Sequence, residues 1–261
     1  MFNQYSYKDI DYAKAIERNG FISNRVKSEC EVLARYYNSL GYPKKEIKNK
    51  IIEICNRSIK NFYYEMYYSI IESAINAGMK KEPTQVDYIT IYKEELDYIN
   101  SLDLKYPVKK LMYGILVLKK LSQQAFHSEK MGFTLVGGAD NYTKLKVFSG
   151  LKNRSRSEID FMFSDILEAG LISIRDDNKK YLLFLDNIQD SKEECFRVED
   201  FETAYLHFDA YNEKYKIGQC EVCGEWFKID SKFNPYQKYC KICQKEKELE
   251  KYENYNKKRR N

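Results

Sequence analysis

The chain has 261 residues, 43% of them hydrophobic and 32% charged, with a net charge of +5. That balance suits a folded protein with one large core or two smaller ones and room for an appended module. It argues against a membrane protein: the longest apolar run, Ile115 to Leu118, is far too short to span a bilayer. The opening residues Met1 to Tyr5 lack the basic and apolar regions of a signal peptide, so the expected location is cytoplasmic. In a reducing compartment the seven cysteines are not expected to form a disulfide framework.

Residues 1–22 carry at most a weak helical pattern. From Asn24 a 3.6-residue period runs through Val26, Cys30, Leu33, Tyr37 and Leu40 and ends at Gly41 and Pro43. A second helix is predicted after Pro43 with Ile47, Ile51 and Cys55 inward, a third from Ile59 to Ala77, and a fourth from Tyr92 to Leu102. The stripe Phe62, Tyr63, Met66, Tyr67, Ile70 is expected to be core. Residues 1–104 are thus predicted to form a helical domain within a mainly α protein.

Pro107 suits the first turn of a helix reaching about Phe126. A strand is predicted at Phe133 to Val136, ending at Gly137-Gly138, followed by a helix from Tyr142 to Phe148. Ser155-Arg156-Ser157-Glu158 reads as a capping box that opens a helix closed by Gly170. Leu171 to Ile174 and Tyr181 to Leu185, flanking Asp176-Asp177-Asn178, read as a β-hairpin. This order over residues 105–186 resembles a winged helix-turn-helix, with Leu167-Glu168-Ala169-Gly170-Leu171-Ile172 at the helix-to-wing junction. Lys152, Arg154 and Arg156 are its candidate nucleic-acid contacts. The helix behind them carries Glu158, Asp160, Asp165 and Glu168, which phosphate would repel, so a protein partner for the helical or winged domain is a competing expectation. Residues 187–213 are acidic and read as a connector, with short strands at Phe196 to Val198 and Tyr205 to Phe208.

The last segment, residues 214–261, carries the sharpest signal. From Cys220 it reads CEVCGEWFKIDSKFNPYQKYCKIC, two Cys-x-x-Cys pairs separated by 16 residues. That spacing lets Cys220, Cys223, Cys240 and Cys243 grip one structural zinc ion, with Trp226, Phe227 and Tyr239 roofing the metal. Four protein ligands leave no position for a reactive water. The wording Cys-x-x-Cys-Gly-x-x-Phe, then Tyr-Cys-x-x-Cys, resembles a treble-clef zinc finger of the kind found in phage and mobile-element proteins. From Lys214 to Asn261 there are 13 Lys and Arg against 7 Asp and Glu; the preceding residues hold 31 against 32. The whole positive excess therefore sits in the tail, which ends in Lys257, Lys258, Arg259 and Arg260, a run suited to phosphate. The resulting expectation is a non-enzymatic nucleic-acid-binding protein, DNA before RNA, acting in replication or transcription control. The alternative is a protein adaptor in which the finger is a folding staple. No spacing supports a catalytic site: neither His127 nor His207 has a partner pattern, and Gly137-Gly138 lacks the rest of a phosphate loop.

Overall fold

The computed structural model describes residues 7–126, 139–174, 180–183, 193–229 and 234–260; residues 126, 139–141, 174, 180–182 and 253–260 enter through their backbone alone. The chain is mainly α and divides into two compact units, Gln4–Asp87 and Tyr88–Asn261.

The first unit is built on four helices, α1 (Asp9–Asn19), α2 (Val26–Ser39), α3 (Lys44–Ser58) and α4 (Tyr64–Gly78). Helix α2 is central and packs against the other three. Its core joins Ile16, Cys30, Leu33, Ile47, Ile51, Cys55, Ile71 and Ile75, of which the 3.6-residue period selects Cys30, Leu33, Ile47, Ile51 and Cys55. Gly78 lets α4 approach α2, since a β-carbon there would lie 2.6 Å from the Glu31 carbonyl oxygen. Glu29 is buried and accepts from the Tyr12 hydroxyl at 2.8 Å and from the N–H groups of Ile22 and Ser23 at 3.0 and 2.6 Å. It thereby holds the link between α1 and α2 in place. The unit closes on itself where Thr84 donates to Asp9, which also pairs with Arg35 at 2.8 Å.

Three expectations change here. Helix α1 forms over a stretch with little pattern, because small residues, Ala13 and Ala15, accompany Ile16 inward. The helix predicted from Ile59 starts at Tyr64 instead; Asn61 takes a positive φ of 56°, which interrupts helical hydrogen bonding. The aromatic stripe is not all core. Phe62 and Tyr67 pack against the cluster, but Tyr63, Met66 and Ile70 are exposed, because α4 turns Ile71, Ala74 and Ile75 toward α2.

The second unit is organised by α6 (Tyr106–Phe126). Its residues Leu111 to Leu118, Gly114 apart, are nearly all fully buried, so it is apolar around its whole circumference and sits inside the unit. Before it come β1 (Ile89–Tyr92) and α5 (Lys93–Ser101), the latter capped where Glu95 accepts from the Tyr92 N–H at 2.9 Å. Residues 88–104, grouped by their periodicity with the N-terminal helices, therefore pack in the second unit. Lys120 seals this arrangement with an ion pair to Glu95 at 2.7 Å. Helices α7 (Ala139–Phe148) and α8 (Arg156–Glu168) pack on α6, and β2 (Ile172–Ile174) pairs antiparallel with β3 (Lys180–Leu182). The predicted cap of α8 is present: Ser155 accepts from the Glu158 N–H, and the Glu158 carboxylate accepts from the Ser155 N–H at 2.7 Å. Gly170 ends α8 at φ +70°. The strand predicted at Phe133 to Val136, Gly137-Gly138, His127 and the turn Asp176-Asp177-Asn178 lie outside the described residues.

The acidic stretch is more than a connector. Glu194–Val198 forms β4 and pairs antiparallel with β1, setting Ile89 opposite Val198 and Ile91 opposite Phe196. The predicted strand at Tyr205 to Phe208 is instead part of helix α9 (Ala204–Tyr211), which packs on α6. Ala204, Leu206, His207, Phe208 and Asp209 are all buried, so α9 has no polar face and no helical period to read. Its Asp209 accepts from the Tyr106 hydroxyl at 2.6 Å and pairs with Lys110 at 2.9 Å. Phe208 stacks on Tyr113, and the Tyr113 hydroxyl donates to the Ala204 carbonyl at 3.0 Å. The acidic count hid the apolar residues Val198, Phe201, Leu206 and Phe208, which supply the packing.

The last elements are β5 (Lys216–Gln219), its antiparallel partner β6 (Trp226–Ile229) and α10 (Lys241–Arg260). Helix α9 contacts both strands of this hairpin. No described helix is long and apolar enough to cross a membrane.

Candidate metal centre

Each cysteine pair sits at a sharp change of chain direction. Cys220 follows β5 and Cys223 follows in the turn before β6, where the Gly224 N–H donates to the Cys220 carbonyl at 2.9 Å and Gly224 takes a φ of +73°. A glycine suits that left-handed position because it has no β-carbon. Cys240 precedes α10 and accepts at its carbonyl from the Gln244 N–H, while Cys243 lies in the first turn of the helix. The two halves are tied by the Glu221 N–H donating to the Lys238 carbonyl at 3.0 Å and by the Lys238–Glu221 ion pair at 3.1 Å.

The four sulfur atoms all lie within 4.8 Å of one another, and Cys223 Sγ is 3.7 Å from Cys240 Sγ. Four thiolates at about 2.3 Å around a tetrahedral zinc stand about 3.8 Å apart, so the set has the right size for that ion. Cys220, Cys240 and Cys243 are buried and Cys223 is exposed. Burial pushes the Cys220 thiol up, but N–H groups of Cys223, Cys240 and Val222 donating to its sulfur outweigh it and bring it down to about 6. Burial and the three neighbouring sulfurs push Cys243 up. A cation at the centre removes this competition for protons by taking all four as thiolates. The residues present thus fit a metal ion held by sulfur alone.

The surrounding apolar residues are Phe227, Ile229 and Tyr239. Trp226 is not among them. Consecutive residues of a strand point to opposite faces, so Trp226 and Phe227 cannot both roof the metal. Phe227 faces the sulfurs, whereas Trp226 meets His207 of α9 edge-on at 4.9 Å. The alternation rule applied to the pair Trp-Phe would have found this from the residues alone.

The predicted nucleic-acid contacts fall in two places. Lys152 pairs with Glu202 at 2.7 Å, Arg154 with Glu158 at 2.6 Å and Arg156 with Asp160 at 4.0 Å, with the Arg156 guanidinium also over the Tyr142 ring. All three remain substantially exposed, but each is already matched by a carboxylate. Lys257, Lys258, Arg259 and Arg260 form the last turn of α10 by their backbone, and their side chains lie outside the described residues. Compared with family models, curated proteins and solved structures, the chain has no match at any of the three levels.

Proposed function

We propose that this is a non-enzymatic zinc-finger protein that binds nucleic acid, DNA before RNA, through its C-terminal segment. The observation that carries the reading is a sulfur-only metal site at the base of a 20-residue helix ending in four consecutive cations. Such a helix is about 30 Å long, and the segment that contains it holds all of the chain's net positive charge. Knuckle, hairpin and helix in that order resemble a treble clef, and zinc, closed in by four ligands, has a structural role. The order α6, α7, α8, β2–β3 resembles that of a winged helix, and we read it as one. The ion pairs of Lys152, Arg154 and Arg156 shift the expected phosphate contacts from that domain to the tail. The likeness of the cysteine motif to fingers of phage and mobile elements supports a cytoplasmic role in replication or transcription control.

One observation favours the adaptor reading for α8. Phe161 is 72% exposed on its outer face, near Asp160 and Asp165, an apolar and acidic surface suited to a basic protein partner.

Fluorescence anisotropy of labelled duplex DNA with the zinc-loaded protein tests the proposal. Binding that weakens steeply with salt, with a slope reduced by up to about 4 on deletion of residues 257–260, is the expected result. Absence of binding at low salt rejects it in favour of the adaptor.

A further inference from the structure

Between β4 and the metal-binding hairpin lies an open cleft of about 440 Å³ that the zinc site does not use. Its walls are aromatic. The His207 ring stacks on Phe196 at 4.8 Å and 20° between planes and meets the indole of Trp226 at 4.9 Å. The exposed side chains of Gln219 and Glu199 line the same space. The remaining charge, Arg197, is committed elsewhere: its guanidinium makes two hydrogen bonds to Glu194, at 2.9 and 3.3 Å, and covers the Tyr88 ring.

His207 is the anomaly. It is only 6% exposed, and among the described residues no group hydrogen-bonds its imidazole. Burial alone pushes its pKa down to about 4, so at neutral pH the ring is uncharged and presents one donor and one acceptor. Its ring nitrogens are not sealed from solvent, so in the cleft each is met by water or by a ligand.

We infer that this cleft receives a single unpaired nucleobase, stacked against Trp226 and hydrogen-bonded on its edge by His207 and Gln219. The choice follows from complementarity. Neutral imidazole and carboxamide each offer both a donor and an acceptor, and a base edge offers both in one plane. An ammonium or guanidinium side chain offers donors only and leaves the imidazole N–H unmet. A phosphate is repelled by Glu199, whereas an exocyclic amine of a base can donate to it. The cleft is of the size that takes a small flat ligand, and aromatic platforms accept bases of any sequence by stacking. The inference rests on the nucleic-acid reading above and gives it a base-binding part distinct from the basic tail.

Trp226 is the single tryptophan of the chain, so fluorotryptophan incorporated into the full-length, zinc-loaded protein gives one fluorine NMR resonance from the cleft wall. Adenosine, cytidine, guanosine and thymidine, added separately, are expected to shift it saturably with midpoints on the order of 1 mM. Gln219→Ala, an exposed change, is expected to weaken the response severalfold, and His207→Phe to abolish it. Ribose 5-phosphate is expected to leave the resonance in place. No nucleoside shift, or a shift reproduced by arginine methyl ester and untouched by Gln219→Ala, overturns the inference. Nucleosides carry no phosphate, so the two readings fail separately. A silent resonance with intact, salt-dependent DNA binding removes the cleft and keeps the tail. A nucleoside response without polymer binding supports the cleft and removes the tail.

Discussion

His207 shows how one side chain links packing to a measurable property. Its folded pKa of about 4 lies below the 6.5 of the free group, because burial disfavours the imidazolium. Between those values the unfolded chain binds the extra proton, so stability is full above pH 6.5 and falls as the pH drops toward 4. The loss is about 3 kcal/mol at most. The charged groups lining the same cleft are Glu194, Arg197 and Glu199. Denaturant unfolding at pH 7 and pH 5 is expected to show a smaller difference for His207→Phe than for the parent; an unchanged difference assigns the titration to other groups. Gly78 is the second residue whose role is geometric. Gly78→Ala places a methyl group 2.6 Å from the Glu31 backbone oxygen and 2.7 Å from Ala34 Cβ, neither of which can yield without moving a helix. Thermal unfolding is expected to report a loss of about 1–3 kcal/mol, despite the better helix propensity of alanine.

At the scale of elements, the hairpin β5–β6 and the start of α10 are expected to depend on a bound metal. Their own apolar cluster amounts to Phe227, Ile229 and Tyr239 beside the cysteines. Structural zinc contributes on the order of 10–16 kcal/mol in comparable sites, far more than three side chains supply. Elemental analysis is therefore expected to find one zinc per chain. Removing it with a chelator is expected to raise amide exchange across residues 216–243 while the α6 interior stays protected. Uniform protection with and without metal would show that the hairpin folds on its packing against α9 alone. Cys240→Ser is expected to reproduce the chelated state.

At the scale of the whole molecule, the charge is divided sharply between a tail segment at +6 and a remainder at −1. Zinc bound to four thiolates lowers the segment by 2, to about +4. Contacts made by such a tail act through counterion release, so truncation is expected to change the salt slope of DNA affinity much more than any preference among sequences. Arg154→Ala is expected to change that slope by less than any single tail residue does, because the Glu158 carboxylate already neutralises it. Titrations over a range of salt concentrations distinguish the two variants.

Signals confined to a few residues were legible without coordinates. The cysteine spacing, the Ser155–Glu158 cap, Gly170 at the end of α8 and the periods of α2 and α3 are each contained in a short stretch of chain. What the tertiary structure decided depends on residues far apart in sequence. Val198 had to meet Ile89 for the acidic stretch to become a strand, and Phe208 had to meet Tyr113 for α9 to form as a helix without a polar face. The outward turn of Met66 and Ile70 followed from which side of α4 found α2, and the Lys152 partner, Glu202, is 50 residues away. Local backbone and ligand chemistry is written in spacing. Which apolar face is covered, and which charge is matched, is settled by long-range packing that no short window of sequence contains.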